Sequence, residues 1–233
     1  MGWIWIFVTP LLLLAVYGFV FGVIFQARVA PGLEVSFIAW LAVALWPWLA
    51  FSDGVLKGSE AIRKHSALIA KVAVPRPLLT VSTQSASFLL QLTGYIVVLI
   101  ALLSLGVDLS LHAIPYLLLV LTTLYLFSLG LALLLSAVQV FVRDLEQLLP
   151  TLFMFWFFLT PILYSPELLP GGIAPWLKLN PMSWWMAEIR AALFDGKWLP
   201  DLTFVSLLAG SLFVLWLGKL VFDRLSPHFE DFL

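Results

Sequence analysis

The sequence predicts an all-α integral membrane protein with six transmembrane helices. Of its 233 residues 63% are hydrophobic and 11% are charged, and the mean hydropathy is +1.08. A soluble domain carries about 25% charged residues, so this chain cannot cover a globule with polar groups. The net charge of −1 predicts no nucleic-acid partner, and the absence of cysteine excludes disulfides and thiolate chemistry.

Six apolar stretches approach the length of about 20 residues that a helix needs to cross a bilayer. The first lacks a basic leader and a small-x-small cleavage site, so it predicts a retained span rather than a signal peptide. The second and sixth are short, which places Asp53 and Lys219 at the membrane interface. Together the spans form one transmembrane domain, at about residues 4–25, 35–52, 79–105, 114–142, 147–164 and 202–221.

The distribution of Lys and Arg predicts the orientation. With both termini in the cytoplasm, the inner loops hold eight cations, namely Lys57, Arg63, Lys64, Lys71, Arg76, Arg143, Lys219 and Arg224. The outer loops then hold four, namely Arg28, Lys178, Arg190 and Lys197. The positive-inside rule favours this orientation over its inverse.

The loop between spans two and three, KGSEAIRKHSALIAKVAVPRP, contains five of those inner cations. Ser59 is a candidate cap for a short separate helix, and Glu60 and Lys64 have the i,i+4 spacing of an ion pair. Pro75 and Pro77 predict that this helix ends before span three. Two interpretations stay open: a helix held at water or lipid headgroups, and a helix that docks on a partner protein.

The loop between spans four and five, FVRDLEQ, is very short and holds Arg143, Asp144 and Glu146. These residues either end two helices at the headgroups or form a second, smaller docking point.

The external segment between spans five and six is too long for a turn and too rich in Pro and Gly for a span. Its part PMSWWMAEIRAALFDG predicts an amphipathic helix, with Asn180 or Ser183 as the cap and Gly196 as the stop. Trp184 and Trp185 suit a membrane interface. An anchoring role and a gating role are both compatible with this pattern.

The sequence lacks the usual marks of an enzyme. The cores of the predicted spans hold no Lys, Arg, Asp or Glu, which argues against proton relays and ion-coupled transport. The three histidines have no metal-ligand spacing, and no G-x-x-x-x-G-K-[ST] motif is present. We therefore expect no catalytic residue, no metal site and no ATPase site of its own.

Aromatic residues recur along spans one and five. Tyr17, Phe21 and Phe25 are four residues apart. Such stripes are more typical of helix packing or lipid contact than of a ligand path. Aromatic faces also suit sugar rings, whose C–H faces are apolar. The candidate wall of a sugar channel is therefore Tyr17, Phe21, Phe25, Phe153, Trp156, Phe157 and Thr160.

Five segments resemble, in order, those of a known family. They read TPLLLLAVYGFVFGVIF, VAVPRPLLTVS, VFVRDLEQLLPTLFMFWFFLTPILY, LNPMSWWMAEIRAALFDG and SPHFEDFL. Together they resemble the ABC-2 type permeases that export O-antigens and teichoic acids, and the likeness runs along nearly the whole chain. It departs at Pro77, where members of the family have an acidic residue.

The resemblance implies a homodimer of six-helix subunits in the bacterial inner membrane, with two ATP-binding subunits that hold ATP and Mg²⁺. It implies an undecaprenyl-pyrophosphate-linked glycan or a related polymer as the substrate. The basic loop then resembles a coupling helix. In the external segment we expect two short re-entrant or interfacial helices, with Trp184, Trp185 and Arg190 as the candidate external gate. The coupling residues would be Glu60, Arg63, Lys64, Lys71, Arg76, Arg143 and Asp144.

Other functions stay open at this point. The chain could export teichoic acid, capsule, another lipid or a drug. It could instead be a membrane-embedded enzyme or an accessory subunit of glycan assembly, which would need charged residues converging near one membrane face. A passive channel would not need a structured basic loop.

Overall fold

The computed structural model describes residues 5–24, 35–69, 71, 74–168 and 174–232, and the regular elements of these residues are all helical. The all-α prediction is confirmed. Helix α1 continues into a π-helical segment, Gly18–Ile24, and 3₁₀ turns lie at Leu111–Ala113, Pro166–Leu168 and Ser226–Asp231. The α-helices are α1 Trp5–Tyr17, α2 Phe37–Lys64, α3 Ser66–Ile69, α4 Arg76–Ser104, α5 Ile114–Phe141, α6 Leu145–Leu159, α7 Ala174–Leu177, α8 Pro181–Leu193 and α9 Leu202–Leu225.

Among the described residues, four helical stretches are long and apolar enough to cross a membrane. They are Phe37–Lys64, Arg76–Ser104, Leu111–Phe141 and Leu202–Phe229. Two shorter apolar helices, Val8–Ile24 and Leu145–Leu159, occupy the positions of predicted spans one and five. The chain is therefore a multi-pass membrane protein.

Helix α2 is longer than predicted and includes the first part of the basic loop, residues 57–64, with three of its five cations. The predicted separate helix capped by Ser59 is wrong, because Ser59 lies inside α2 and its Oγ donates to the carbonyl of Leu56 at 2.8 Å. The helix continues because the apolar residues Ala61 and Ile62 are fully buried beyond that point. The helix break comes later, at His65, before the short helix α3.

The chain divides into two compact units. The first comprises Met1–Trp48, Leu90–Leu121 and Trp156–Phe204, and the second comprises Leu49–Leu89, Thr122–Phe155 and Val205–Leu233. In the first unit the Tyr95 hydroxyl donates to the carbonyl of Val43 at 3.1 Å. This bond joins α2 and α4 inside a buried region.

The second unit has an apolar core beside a row of small polar side chains. Its core contains Ile62, Leu133, Phe222 and Phe229. The polar row pairs α4 with α5, with 3.1 Å between the Oγ atoms of Thr80 and Ser136, and 2.5 Å between Gln84 Nε2 and Ser128 Oγ. A buried polar group is tolerated in an apolar interior when it is hydrogen-bonded, so these pairs let the two helices pack without unpaired hydroxyls at those positions.

Candidate functional site

A cluster of charged residues lies in the second unit, where the end of α2 meets the α5–α6 turn. Arg63 Nη1 donates to Glu146 Oε2 at 2.6 Å. Lys64 pairs with Glu60, as the i,i+4 spacing predicts. With Arg143, these residues line a groove of about 350 Å³. We call Glu60, Arg63, Lys64, Arg143 and Glu146 the charged cluster.

The charged cluster is open to solvent rather than part of the core. The side chain of Arg63 is 30% exposed and that of Glu146 is 46% exposed. Exposed ion pairs of this kind stabilise a fold by about 0–1 kcal/mol. Their charges therefore remain accessible from solvent.

The other predicted coupling residues lie elsewhere in the second unit. Arg76 begins α4, donates to the carbonyl of Ser226 and faces the ring of Phe229 at 6.0 Å. It therefore holds the C-terminal turn against α4. Lys71 is exposed after α3, and Asp144 is exposed in the turn before α6, where its carbonyl accepts from the amides of Gln147 and Leu148.

Asp53 lies inside α2 and pairs two helices of the second unit. Its Oδ2 accepts from Lys57 at 2.7 Å and from Ser87 Oγ at 2.6 Å. The sequence predicts that span two ends at Ser52, which would place Asp53 at the membrane interface. That prediction does not include the bonds of Asp53 to Lys57 and Ser87. The i,i+4 spacing of Asp53 and Lys57 is the sequence signal that indicates a longer helix.

The aromatic candidates of span one pack against each other and against α2. The rings of Tyr17 and Phe21 are stacked 5.9 Å apart, and Phe21 lies 6.4 Å from Phe37. Phe25 lies outside the described residues. Phe153, in the second unit, is buried and packs on Phe51 at 5.6 Å.

Trp156, Phe157 and Thr160 lie in the first unit, around the end of α6. Trp156 and Phe157 both contact the ring of Trp48, at 5.9 Å and 5.8 Å. These contacts pack helices together. Helix packing is the role for which aromatic stripes at helical spacing are most typical.

Asn180 joins the end of α6 to the start of α8. Its Oδ1 accepts from Trp156 Nε1 at 2.8 Å and from the amide of Met182 at 3.1 Å. Its Nδ2 donates to Thr160 Oγ1 at 3.0 Å. Asn180 is therefore the cap of α8, as predicted, and it also fixes two residues of the predicted channel wall.

The three predicted gate residues all lie on α8 and differ in exposure. Trp184 is 40% exposed and donates through Nε1 to the carbonyl of Lys178 at 2.9 Å. Trp185 is only 2% exposed, so it packs inside the first unit and does not present its ring to lipid, as an anchoring role requires. The reason is the helical register, which directs Trp185 into the first unit together with Met186 and Ile189.

Arg190 is buried in the first unit and held by backbone carbonyls. It donates to the carbonyls of Pro161 at 2.7 Å, Ile162 at 3.2 Å and Trp40 at 3.3 Å. Burial lowers the pKa of the guanidinium to about 9, so the side chain remains a cation at neutral pH.

Glu188 is a second buried charge on α8, and no sequence pattern singles it out. Both of its oxygens accept from Lys197 Nζ, at 2.8 Å and 2.7 Å, and one accepts from the Tyr116 hydroxyl at 2.5 Å. Lys197 also donates to Asp201 at 2.8 Å. These bonds attach α8 to the start of α5 and to the segment before α9, so Glu188 is satisfied by structural partners.

A cavity of about 560 Å³ opens beside Arg190 in the first unit. Aromatic and polar side chains of α2, α8 and the segment before α7 line it, among them Trp40, Ser165, Trp184 and Arg190. We call it the α8 cavity. Its volume lies in the range of small-molecule sites.

Comparisons with known proteins point to one family. The sequence profile described as ABC-2 type transporter matches residues 1–194. The "O-antigen export system permease protein RfbA" of Myxococcus xanthus is 30% identical over 237 residues, covering 99% of this chain and 87% of that protein. A protein of the same name from Klebsiella pneumoniae is 23% identical over 233 residues, covering 100% of this chain and 87% of that protein.

Proposed function

The chain belongs to the ABC-2 type transporter family, and from that premise we propose that it is the transmembrane permease subunit of an ATP-driven exporter of an O-antigen-type polysaccharide. The observation that carries the proposal is the similarity to O-antigen export permeases, which extends over 99% of the chain rather than over one segment. The multi-pass helical fold is the architecture that such a subunit requires.

The energy for export comes from a partner in this proposal. Two ATP-binding subunits hold ATP and Mg²⁺ and dock at the charged cluster. The solvent-open ion pairs and the polar groove at Arg63 and Glu146 support this assignment. Lys71 and Asp144 lie on exposed segments of the same unit and extend the docking surface.

The remaining architecture is also part of the proposal. The chain spans the inner membrane six times, with the short apolar helices Val8–Ile24 and Leu145–Leu159 as the additional spans. Both termini are cytoplasmic, and two copies form a homodimer that moves an undecaprenyl-pyrophosphate-linked glycan. The excess of Lys and Arg in the proposed inner loops supports this orientation.

Reconstitution tests the proposed function directly. The chain is co-purified with a candidate ABC ATPase from the same organism and placed in liposomes that contain lipid-linked glycan. We expect ATP hydrolysis to increase when the glycan is present, and glycan to appear on the opposite leaflet. Hydrolysis that does not respond to glycan, but responds to another lipid or a drug, would reassign the substrate.

A cysteine label tests the orientation, because the chain has no cysteine of its own. Trp198 is 61% exposed, so Trp198→Cys offers an accessible thiol in the segment that precedes α9. In intact cells whose outer membrane has been permeabilised, we expect this thiol to react with a maleimide that cannot cross the inner membrane. Reaction only after the inner membrane is opened would reverse the topology.

A further inference from the structure

The α8 cavity has the chemistry of a carbohydrate site, and we propose that it binds a sugar ring of the exported glycan. The identification of the ring with the exported glycan rests on the proposed function. The existence of the site rests on the side chains of the first unit alone.

Four buried polar atoms around the α8 cavity have no hydrogen-bond partner among the described residues. They are Trp40 Nε1, Ser165 Oγ, Ser183 Oγ and Arg190 Nε, and all four residues line the cavity. Trp40, Ser165 and Arg190 are each at least nine-tenths buried. Buried polar groups in folded proteins are nearly always paired, with protein groups or with water, so four such groups around one open cavity mark a place where the polar groups of a ligand can take the place of water.

The donors and acceptors at the cavity match hydroxyl groups. The N–H groups of Trp40 and Arg190 can only donate, so they need acceptor oxygens. The hydroxyls of Ser165 and Ser183 can donate or accept. A sugar presents several hydroxyls that act in both ways, whereas an aliphatic or aromatic ligand would leave these atoms unpaired.

The charges around the cavity favour a neutral ligand over an anion. Lys178 and Arg190 are balanced by Glu167 and Asp195. The Arg190 charge is also already engaged, by three backbone carbonyls and by the Trp40 ring. A phosphate would therefore meet no net positive charge.

The aromatic side chains provide the apolar part of a sugar site. Trp184 uses its N–H to bond Lys178 and remains 40% exposed, so its ring is available to a ligand. The Trp40 ring is occupied by Arg190 and Phe194, so Trp184 provides the free ring face and Trp40 contributes its N–H. Flat apolar surfaces beside hydrogen-bonding groups are the combination that binds the C–H face and the hydroxyls of a pyranose.

Protection of an engineered cysteine tests the site on the purified full chain. Ala187 lines the cavity and is exposed, so Ala187→Cys places a thiol at the site. Leu199→Cys is the control, because Leu199 is 58% exposed and does not line the cavity. The probe is the mixture of short oligosaccharides released by mild acid from the surface polysaccharide of the organism that carries this chain.

We expect the oligosaccharides to slow maleimide labelling at residue 187 in a saturable way, about twofold when half of the sites are occupied. Labelling at residue 199 should not change. An unchanged rate at residue 187 at the highest soluble concentration would overturn the proposal, and so would protection by inorganic phosphate instead of sugar. Export measured with the same variants separates the two claims: normal export without protection removes the site but leaves the proposed function.

A second variant keeps the test independent of the folding role of Arg190. Trp184→Ala, combined with Ala187→Cys, removes an exposed ring face. We expect protection of the thiol at position 187 to need about tenfold more oligosaccharide, the effect of losing one aromatic contact of roughly 1.4 kcal/mol. Trp198→Ala is the matched control, since Trp198 is also exposed but does not line the cavity. Equal protection in the two variants would contradict a sugar stacked on Trp184.

Discussion

The guanidinium carbon of Arg190 lies 3.7 Å from the centroid of the Trp40 ring, which joins a buried cation on α8 to α2. The same guanidinium donates to the carbonyls of Pro161 and Ile162, which follow the end of α6. Hydrogen bonds of charged donors contribute about 1.5–3 kcal/mol each. Arg190 therefore acts first as a structural residue that holds three parts of the first unit together.

Arg190→Ala should destabilise the purified protein by about 3 kcal/mol or more, because it leaves buried carbonyls unpaired and uncovers the Trp40 ring. Arg190→Lys should lose less, since an ammonium keeps the cation beside the ring but lacks the planar set of donors. Thermal unfolding in detergent, followed by size-exclusion chromatography, measures both. If the alanine variant were as stable as the wild type, the carbonyl contacts would have no structural weight.

Part of α8 could be predicted from the sequence, and its burial could not. Asn180 before an amphipathic run predicts the N-cap of α8, and Gly196 predicts where the helix stops. In the structure Gly196 has a φ of +67°, a conformation that glycine adopts easily. Local signals of this kind depend on a few neighbouring residues. The burial of Trp185, Glu188 and Arg190 depends on partners far along the chain, and no spacing in α8 reveals them.

For helix α2 the local signal is misleading. The sequence predicts a new helix at Ser59, but tertiary packing continues α2 through this residue. Ser59 and the charges after it are typical of the start of a new helix, since Ser is a favoured cap. The residues from Gly58 to Lys64 are still compatible with a helix interior, and the burial of Ile62 among Leu129, Leu133 and Phe222 supports its continuation. Contacts between residues far apart in the sequence therefore decide where α2 ends, and the local pattern does not reveal them.

A close approach of α5 and α9 in the second unit gives a prediction with a matched control. A Cβ added at Gly130 would lie 2.5 Å from the amide nitrogen of Leu215, which is backbone and cannot turn aside. Gly130→Ala should therefore separate the helices and destabilise the protein by more than about 3 kcal/mol, a large value for a point substitution. Gly210→Ala on α9 meets no atom within 4 Å.

We expect Gly210→Ala to be neutral or slightly stabilising, since alanine is favoured over glycine in a helix interior by about 1 kcal/mol. Both variants are compared by thermal unfolding in the same detergent. Similar melting temperatures for the two would show that the helices are less tightly packed than the structure indicates.

Charge reversals at Arg63 and Glu146 can distinguish a role of this ion pair in the fold from a role in docking the ATPase. Arg63→Glu places two acids together, and Glu146→Arg places two cations together, so each single reversal should weaken any function of the charged cluster. The double reversal restores the pair inside the chain but inverts the charges that a partner meets. We expect the double variant to insert normally and still fail to bind the ATPase, as measured by co-purification.

Recovery of ATPase binding in the double reversal would show that the pair serves the fold of this chain and not the docking surface. Lys219→Glu is a suitable control for charge change alone, because Lys219 is exposed on α9 and forms a local i,i+4 pair with Asp223. It should leave ATPase binding unchanged.

The Lys197–Asp201 pair predicts a pH dependence with a defined sign. Hydrogen bonds from Lys197 and from the amide of Phe204 lower the pKa of Asp201. A carboxyl with a lowered folded-state pKa stabilises the fold above its unfolded pKa of about 3.9, and this contribution is lost as pH falls through the folded value. Burial lowers the pKa of Lys197, but its hydrogen bonds to Asp201 and Glu188 outweigh burial and raise it, so its contribution is lost only at alkaline pH.

Asp201→Asn should therefore melt at a lower temperature than the wild type at pH 7. The difference should begin to shrink as the pH falls below about 4 and disappear below the lowered folded-state pKa, where the wild-type carboxyl is also neutral. Thermal shift measurements between about pH 3 and 8, in roughly unit steps, show this convergence. A difference that does not change with pH would mean that the amide disturbs packing and that charge is not the cause.

The aromatic residues of the proposed glycan path give the riskiest prediction, because the structure places them in helix contacts. A polymer must slide without a deep binding well, and aromatic faces provide weak contacts of about 1 kcal/mol that suit many ring positions. Tyr17 and Phe157 are both partly exposed. Tyr17 is stacked on Phe21, and Phe157 contacts the rings of Trp48 and Phe158. A partly exposed ring can still contact a passing sugar, so Tyr17→Ala and Phe157→Ala should reduce glycan export more than they reduce assembly or basal ATP hydrolysis. Phe155→Ala is the control, since Phe155 lies on the same helix and is 60% exposed, the position expected for lipid contact. Equal loss of assembly and export in the first two variants would make them packing residues, and normal export in both would remove them from the glycan path.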